Sequence, residues 1–331
     1  MGVDGPDDFD MPRFGDSSSG DPAESRSRVA VEERDRYEYW EDLRAAVAAD
    51  AWEVAADRFR WQWTSHCERW PAESRPPVDR SGDLPGSWRG DGGRYLDAAA
   101  NADVERRCEG IAEVERDVVS PAMREIEACD PERQLVGFDH RLKGLDRLKD
   151  KVAETLKEQS ALTVGEAVAD VSDTIRFTFC YDDGRYAVGV RDDIARLKDQ
   201  GFELDRLKNY WTDALYKGIN AQWIVPATGQ RFEVQFHTQT SFEAKQLTHR
   251  AYERLRSRPV DAREEDDLAG LQGEVSGAVP IPAGATKIPS YPERVRNVGQ
   301  SYLLRDCHQP ERLGQSCGRA PPELLGIRWQ A

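Results

Sequence analysis

The chain has 331 residues, of which 39% are hydrophobic and 32% charged, and it carries a formal net charge of −15. That balance suits one sizeable core of about 150 to 200 residues with polar appendages. The acidity excludes the broad basic surface that nonspecific nucleic-acid binding needs, so any bound anion must be met by a local basic cluster.

No stretch approaches the roughly 18 apolar residues of a membrane span. The opening residues (MGVDGPDDFDMPRFGDSSSGD) lack the basic and apolar regions of a secretory signal. The six cysteines form no CxxC pair, so a cytoplasmic chain with reduced thiols and no membrane contact is expected. Residues 1–32, rich in Asp, Gly, Ser and Pro, read as a disordered acidic leader. Residues 33–70 combine helix formers with Tyr37, Tyr39, Trp40, Trp52, Phe59, Trp61, Trp63 and Trp70. They predict an all-helical, aromatic-rich packing module. Residues 71–100, with Pro-Pro, Asp-Leu-Pro-Gly and Gly-Asp-Gly-Gly, read as a linker.

The core is expected over 101–258. Val104, Cys108, Ile111, Val114 and Val118 recur at helical spacing and predict a helix over Asn101–Ala128, interrupted at Pro121. A second helix is predicted over Arg141–Lys157, with Leu145, Leu148, Val152 and Leu156 on one stripe and Lys143, Arg147 and Lys151 beside it. Between Arg141 and Lys151 stand five basic side chains against two acidic ones. Such a positive rail suits a triphosphate, although a solvated lysine face would have the same pattern.

Thr174–Tyr181 (TIRFTFCY) reads as a strand preceded by Asp170 and Asp173. A helix over Val188–Gln200 ends at Gly201, and strands follow over Phe202–Trp211 and Gly218–Val225. In the hairpin to which the last of these belongs, Tyr216, Gly218, Asn220 and Gln222 share a face. A Pro-Ala-Thr-Gly-Gln turn leads into Arg231–Thr238 (RFEVQFHT), where Phe232, Val234 and Phe236 alternate with Glu233, Gln235 and His237. The polar side of that strand is the candidate floor of an active site. A last helix is predicted over Thr240–Arg256, and residues 259–331 read as an acidic helix and a Pro/Gly-rich irregular tail. The expected fold is α+β, a mixed β-sheet of about four to five strands flanked by helices.

Carboxylates on neighbouring strands beside a basic cluster are what metal-assisted phosphoryl transfer needs, because Mg²⁺ takes one or two carboxylates together with phosphate oxygens. No GxxxxGK[ST] loop and no kinase HRD/DFG set is present. A nucleotide would be held by side chains.

The motifs Arg141-x-Lys143-x3-Arg147-Leu148-x2-Lys151, Asp173-Thr-Ile-Arg176, Tyr216-x-Gly218-x-Asn220 and Phe232-Glu233-Val234-Gln235-Phe236-His237-Thr238 stand in that order. Over about 139–258 the chain thereby resembles the synthetase domain of the RelA/SpoT family, the alarmone synthetases, which have a nucleotidyltransferase-like fold. The resemblance implies transfer of pyrophosphate from ATP to the 3′-hydroxyl of a purine nucleotide, with Mg²⁺ and release of AMP. It further implies Glu233, Asp173 and Gln235 as catalytic residues, with Asp173 and Glu233 holding the metal. Arg141, Lys143, Arg147, Lys151 and Arg176 would meet ATP, and Tyr216, Asn220 and His237 the acceptor.

Arg147 stands where the family has serine, Gly218 and Asn220 where it has Ser and His, and His237 where it has arginine. These departures place the chain nearer a divergent, ATP-directed or toxin-like branch, and they put the acceptor base in question. The family's metal aspartate falls at Val171 here, which leaves Asp173 ahead of Asp170. None of the five histidines is followed by Asp, so the family's hydrolase motif is not expected. Two other classes remain open: a toxin-type transferase gripping tRNA through Arg250, Arg254, Arg256 and Arg258, and a catalytically inactive nucleotide-binding module.

Overall fold

The computed structural model describes residues 50–71, 82–90, 93–257 and 260–292. The expected leader, the first part of the helical module and the tail after 292 lie outside the described residues. Residues 50–69 form helix α1, in which Trp52, Ala56 and Phe59 recur every three to four residues and are buried. Trp61 faces solvent at 71% exposure, so the aromatics of this segment divide between core and surface. A ribbon follows inside the expected linker, β1 (Trp88–Arg89) against β2 (Tyr95–Leu96). Leu96 is buried, and the Trp88 indole N–H donates to Asp146 at 3.1 Å, which fixes the ribbon to the core.

Helix α2 (Ala98–Val114) begins at Asp97, whose carboxylate accepts from the Ala100 N–H at 2.8 Å and satisfies one of the donors that a helix start leaves unpaired. The predicted interruption is a π turn, Glu115–Val119, ahead of α3 (Ser120–Ala128). Pro121 offers no N–H and its ring crowds the carbonyl four residues back, and just before it the Ser120 N–H reaches five residues back to the Glu115 carbonyl. Glu115, at the head of this turn, is 1% exposed.

The sheet comprises β3 (Arg133–Val136), β4 (Arg176–Tyr181), β5 (Glu203–Asn209), β6 (Ile219–Val225) and β7 (Gln230–Thr238), in the order β3-β4-β7-β6-β5. Only β4 and β7 pair in parallel. The α+β expectation of a mixed sheet of four to five strands is thus met. Strand β3 is the one the periodicity does not announce: it has four residues, and its buried Arg133 faces Asp193 where an apolar residue would signal a strand.

The remaining helices are α4 (Leu145–Glu158), α5 (Val164–Asp170), α6 (Tyr186–Asp199), α7 (Gln239–Ser257) and α8 (Ala262–Gly277). Phe177, Phe179, Phe232, Val234, Phe236, Ala221 and Trp223 build the apolar face of the sheet, and all are buried. Helix α6 lies against it. The Tyr186 hydroxyl donates to the Phe236 carbonyl at 2.9 Å, and a Cβ at Gly189 would stand 2.7 Å from the Tyr181 ring.

Two expectations change. The second core helix starts at Leu145 and not at Arg141, because residues 141–143 run extended beside the approach to β4. There Leu142 bridges Ile175, the Lys143 N–H donates to the Thr174 carbonyl at 2.9 Å, and the Arg176 N–H donates to the Arg141 carbonyl at 2.7 Å. Of the predicted stripe, Leu148 and Val152 are buried while Leu145 is 38% exposed.

Residues 260–292 also belong to the core. Leu268 and Val275 of α8 are buried, the Asn209 side-chain amide donates to the carbonyls of Ala285 and Ile288, and Tyr291 pairs with Leu207 of β5. Among the described residues no helix is long and apolar enough to cross a membrane.

Leu148→Ala should cost about 2 to 5 kcal/mol of stability, as expected for a core leucine. Arg147→Ala, one residue away on the solvent side, should change it by less than about 0.5 kcal/mol. Urea unfolding of the two variants compares them directly.

Candidate active site

The sheet register builds the site. Arg176, Thr178 and Cys180 of β4 stand beside Glu233, Gln235 and His237 of β7, and Gln222 and Asn220 of β6 stand beside Glu233 and Gln235. Residues directly opposite share a face. This is therefore one continuous polar surface, back to back with the aromatic one. It is not an open floor: Glu233 and Gln235 are each 4% exposed and His237 is fully buried.

Asp173 lies three residues before β4 and accepts from two ammonium groups, Lys143 Nζ at 2.8 Å and Lys151 Nζ at 2.9 Å. Burial would raise its pKa, but Lys151 and Lys143 together outweigh that and hold the carboxyl well below the ordinary range. Glu233 behaves oppositely. Its burial pushes its pKa up and the nearby Asp173 adds to this, against the opposing charges of Arg176 and Lys245. One carboxylate is thus firmly ionised, while its neighbour holds a proton more readily than usual.

Behind Glu233 the Gln235 amide donates at 2.5 Å to the Glu233 carboxylate, and its carbonyl oxygen accepts from Lys245 Nζ at 2.5 Å. Burial lowers the Lys245 pKa to about 8, with the charge of Arg176 acting in the same direction.

Farther along β7, His237 sits between Ser241 Oγ, 2.9 Å from Nδ1, and the Tyr216 hydroxyl, 2.8 Å from Nε2. The same hydroxyl donates to Asn220 Oδ1 at 2.8 Å. Burial, reinforced by the charge of Lys245, holds the imidazole well below its ordinary pKa, so His237 is neutral. Gly218 passes directly over this ring with φ +148, and a Cβ there would lie 2.8 Å from His237 Cε1 and 3.1 Å from the Phe236 carbonyl oxygen. Glycine is required by both backbone and space.

No family model matches the chain, and no curated protein sequence does. Among solved structures it is similar to small alarmone synthetase 1 from Bacillus subtilis bound to its product pppGpp, at 12% identity over 56% of this chain and 96% of that one, with a TM-score of 0.40. It is also similar to small alarmone synthetase 2 from Bacillus subtilis, at 11% identity, 51% and 90% coverage and a TM-score of 0.37. A GTP pyrophosphokinase family protein from Streptococcus pneumoniae matches at 12% identity, 55% and 91% coverage and a TM-score of 0.36. At such identities the site rests on this chain's own residues.

The structure brings together Asp173, Lys143, Lys151, Arg176, Glu233 and Gln235, and next to them Tyr216, Asn220 and His237. The continuous rail does not form. Lys143 precedes α4, and Arg147 points into solvent at 72% side-chain exposure, paired with Glu253. Arg141 is drawn to Glu115 at 2.6 Å and lies over the Phe138 ring. Asp170 is exposed at the end of α5. His237 is fully buried and meets the Tyr216 hydroxyl through Nε2. Arg254, one of the possible RNA contacts, is committed to Glu264, and the side chains of Arg256 and Arg258 lie outside the described residues.

Sequence reasoning missed Lys245, Ser241 and Glu115. For the first two a signal existed, because α7 folds back along β7. Stepping two residues down the strand (about 6.6 Å) matches stepping four along the helix (about 6 Å), which pairs 237 with 241 and 235 with 245.

Gly218→Ala should destabilise by about 1 to 3 kcal/mol through the contact with His237 and the disfavoured backbone. Combining it with His237→Ala should cost less than the sum of the two single changes, because the second removes the clash. A double-mutant cycle in urea measures this.

Proposed function

We propose that the chain is an ATP-dependent nucleotide 3′-pyrophosphokinase of RelA/SpoT type, making (p)ppGpp- or (p)ppApp-like products. The observation that carries this is the pair Asp173, just ahead of β4, and Glu233 on β7, set among Lys143, Lys151, Arg176 and Lys245. An ionised carboxylate beside a second one is a donor set that fits Mg²⁺ completed by phosphate oxygens, and Asp173 and Glu233 would hold that ion. When bound, Mg²⁺ supplies charge neutralisation on the transferred phosphates.

The two lysines that now neutralise Asp173 are the natural partners of an incoming triphosphate. Shifting their ammonium groups from carboxylate to phosphate oxygens keeps every charge compensated while freeing Asp173. Arg176 stands opposite Glu233 at the head of β4 and adds fixed positive charge where the transition state is most anionic. Glu233 stands where a carboxylate would either share the Mg²⁺ ion or receive the proton of an acceptor hydroxyl.

Glu233→Gln should abolish pyrophosphate transfer with the fold intact, and Asp173→Asn should cost far more activity than Asp170→Asn. Incubation with ATP and separation of products by charge checks both. Equal losses at the two aspartates would refute the assignment of the metal carboxylate.

The acceptor is a purine nucleotide held at Tyr216. An aromatic ring stacks on any base, whereas base discrimination needs hydrogen bonds to its edge. Here the Tyr216 hydroxyl is bonded to both the Asn220 amide oxygen and the His237 ring. Relaxed, adenine-tolerant use is expected. ADP or ATP should be modified within about tenfold of GDP or GTP, a gap of about 1.4 kcal/mol. A guanine preference beyond about a hundredfold, about 2.7 kcal/mol, would contradict the relaxed specificity. Labelling of tRNA with no product from free nucleotides would refute the nucleotide acceptor itself.

A further inference from the structure

Lys245 is a half-buried ammonium group on the side of α7 that faces β7, and among the described residues it forms no ion pair with a carboxylate. Its placement is nevertheless rigid. The first turn of α7 is fastened to the end of β7 by reciprocal bonds, Thr238 N–H to Ser241 Oγ at 3.0 Å and Ser241 N–H to Thr238 Oγ1 at 3.2 Å. Lys245 follows Ser241 by four residues, so it faces the same strand one turn farther along, over Gln235.

A lysine ammonium has donors only, so it can meet only the carbonyl end of the Gln235 amide. The amide nitrogen is thereby turned to Glu233. A glutamine side chain left to itself can present either end to a carboxyl group, and with a protonated Glu233 both ends would serve. With Lys245 in place only one orientation is allowed. It is the one that donates to the carboxylate and favours its ionised form.

We propose that Lys245 is a positioning residue for the reaction, one that fixes the Gln235 amide and through it the direction in which the Glu233 carboxylate is held. This rests on the pyrophosphokinase assignment for its kinetic part and on geometry alone for its structural part. Gln235 is then a bridge between a cation and a carboxylate rather than a group that meets substrate, since it is 4% exposed and each end of its amide is directed to one of the two. Lys245 also supplies a positive charge next to the neutral His237, at the end of the site away from Lys143 and Lys151.

The test compares wild type with Lys245→Met, which keeps the length of the side chain without charge or donor, and with Lys245→Arg, which keeps both. In Lys245→Met, kcat should fall about 10- to 100-fold, the usual effect of removing a group that orients a reactive side chain, while KM for ATP stays within about threefold. Lys245→Arg should recover at least part of kcat.

The readout independent of activity is the Gln235 side-chain amide in protein labelled with 15N-glutamine. Its two NH₂ protons should be slowly exchanging and distinct in wild type, and they should shift and exchange faster in Lys245→Met. A Gln235 amide signal and a kcat unchanged in Lys245→Met would overturn the proposal. So would a loss confined to KM for ATP, which would make Lys245 a direct phosphate contact. If the wild type transfers no pyrophosphate to any nucleotide, the functional assignment fails, while the amide measurement still decides whether Lys245 orients Gln235. Should Lys245→Met not fold, Lys245→Gln, which keeps a donor without the charge, carries the same two measurements.

Discussion

The in-register parallel pairing of β4 with β7 is the constraint on which the rest of the structure depends. It sets Arg176 beside Glu233 on one side of the sheet and packs Phe177, Phe179 and Tyr181 with Val234 and Phe236 on the other. A slip of one residue would exchange the faces of a strand, burying its charges against α6 and setting its aromatic rings among the lysines and under α7. Core and site are therefore specified by a single alignment of two strands. The short bridges at Leu142 and Thr174 extend that alignment beyond β4, and they deliver Lys143 to Asp173.

Much of this was legible in the sequence because the governing patterns are local. The alternation in RFEVQFHT announces both faces of β7, and the proline at 121 announces a break that the chain accommodates as a π turn. What was not legible depends on contacts distant in sequence. Helical spacing from Arg141 onward suggested an unbroken basic rail, yet residues 141–143 find backbone partners at 174–176, so the helix starts later and Arg147 turns outward. Strand β3 is hidden because its buried residue is an arginine whose partner, Asp193, lies 60 positions away. The linker, and the chain beyond the acidic helix after 258, read as irregular for a similar reason: their few apolar residues become informative only when the surfaces that receive them are known.

Three positions where the motifs depart from the RelA/SpoT pattern, Gly218, Asn220 and His237, are not independent changes. Gly218 gives the His237 ring its space, and the Tyr216 hydroxyl ties His237 to Asn220. An arginine at 237 would bring a longer, charged side chain under a glycine that has no room to spare, in a place where Lys245 already carries positive charge. These side chains hold one another, and the cation nearest to them, Lys245, comes from the helix that covers the strand.

The strap that ends in the pairing of Tyr291 with Leu207 has a further consequence. Strand β5 is one edge of the sheet, and an edge of unpaired backbone groups invites a strand from another molecule. Here the central part of that edge is already taken by the chain's own residues, through two backbone bonds of 2.7 and 2.8 Å, while the opposite edge, β3, is only four residues long. Among the described residues, therefore, neither margin offers a long unpaired template for strand addition.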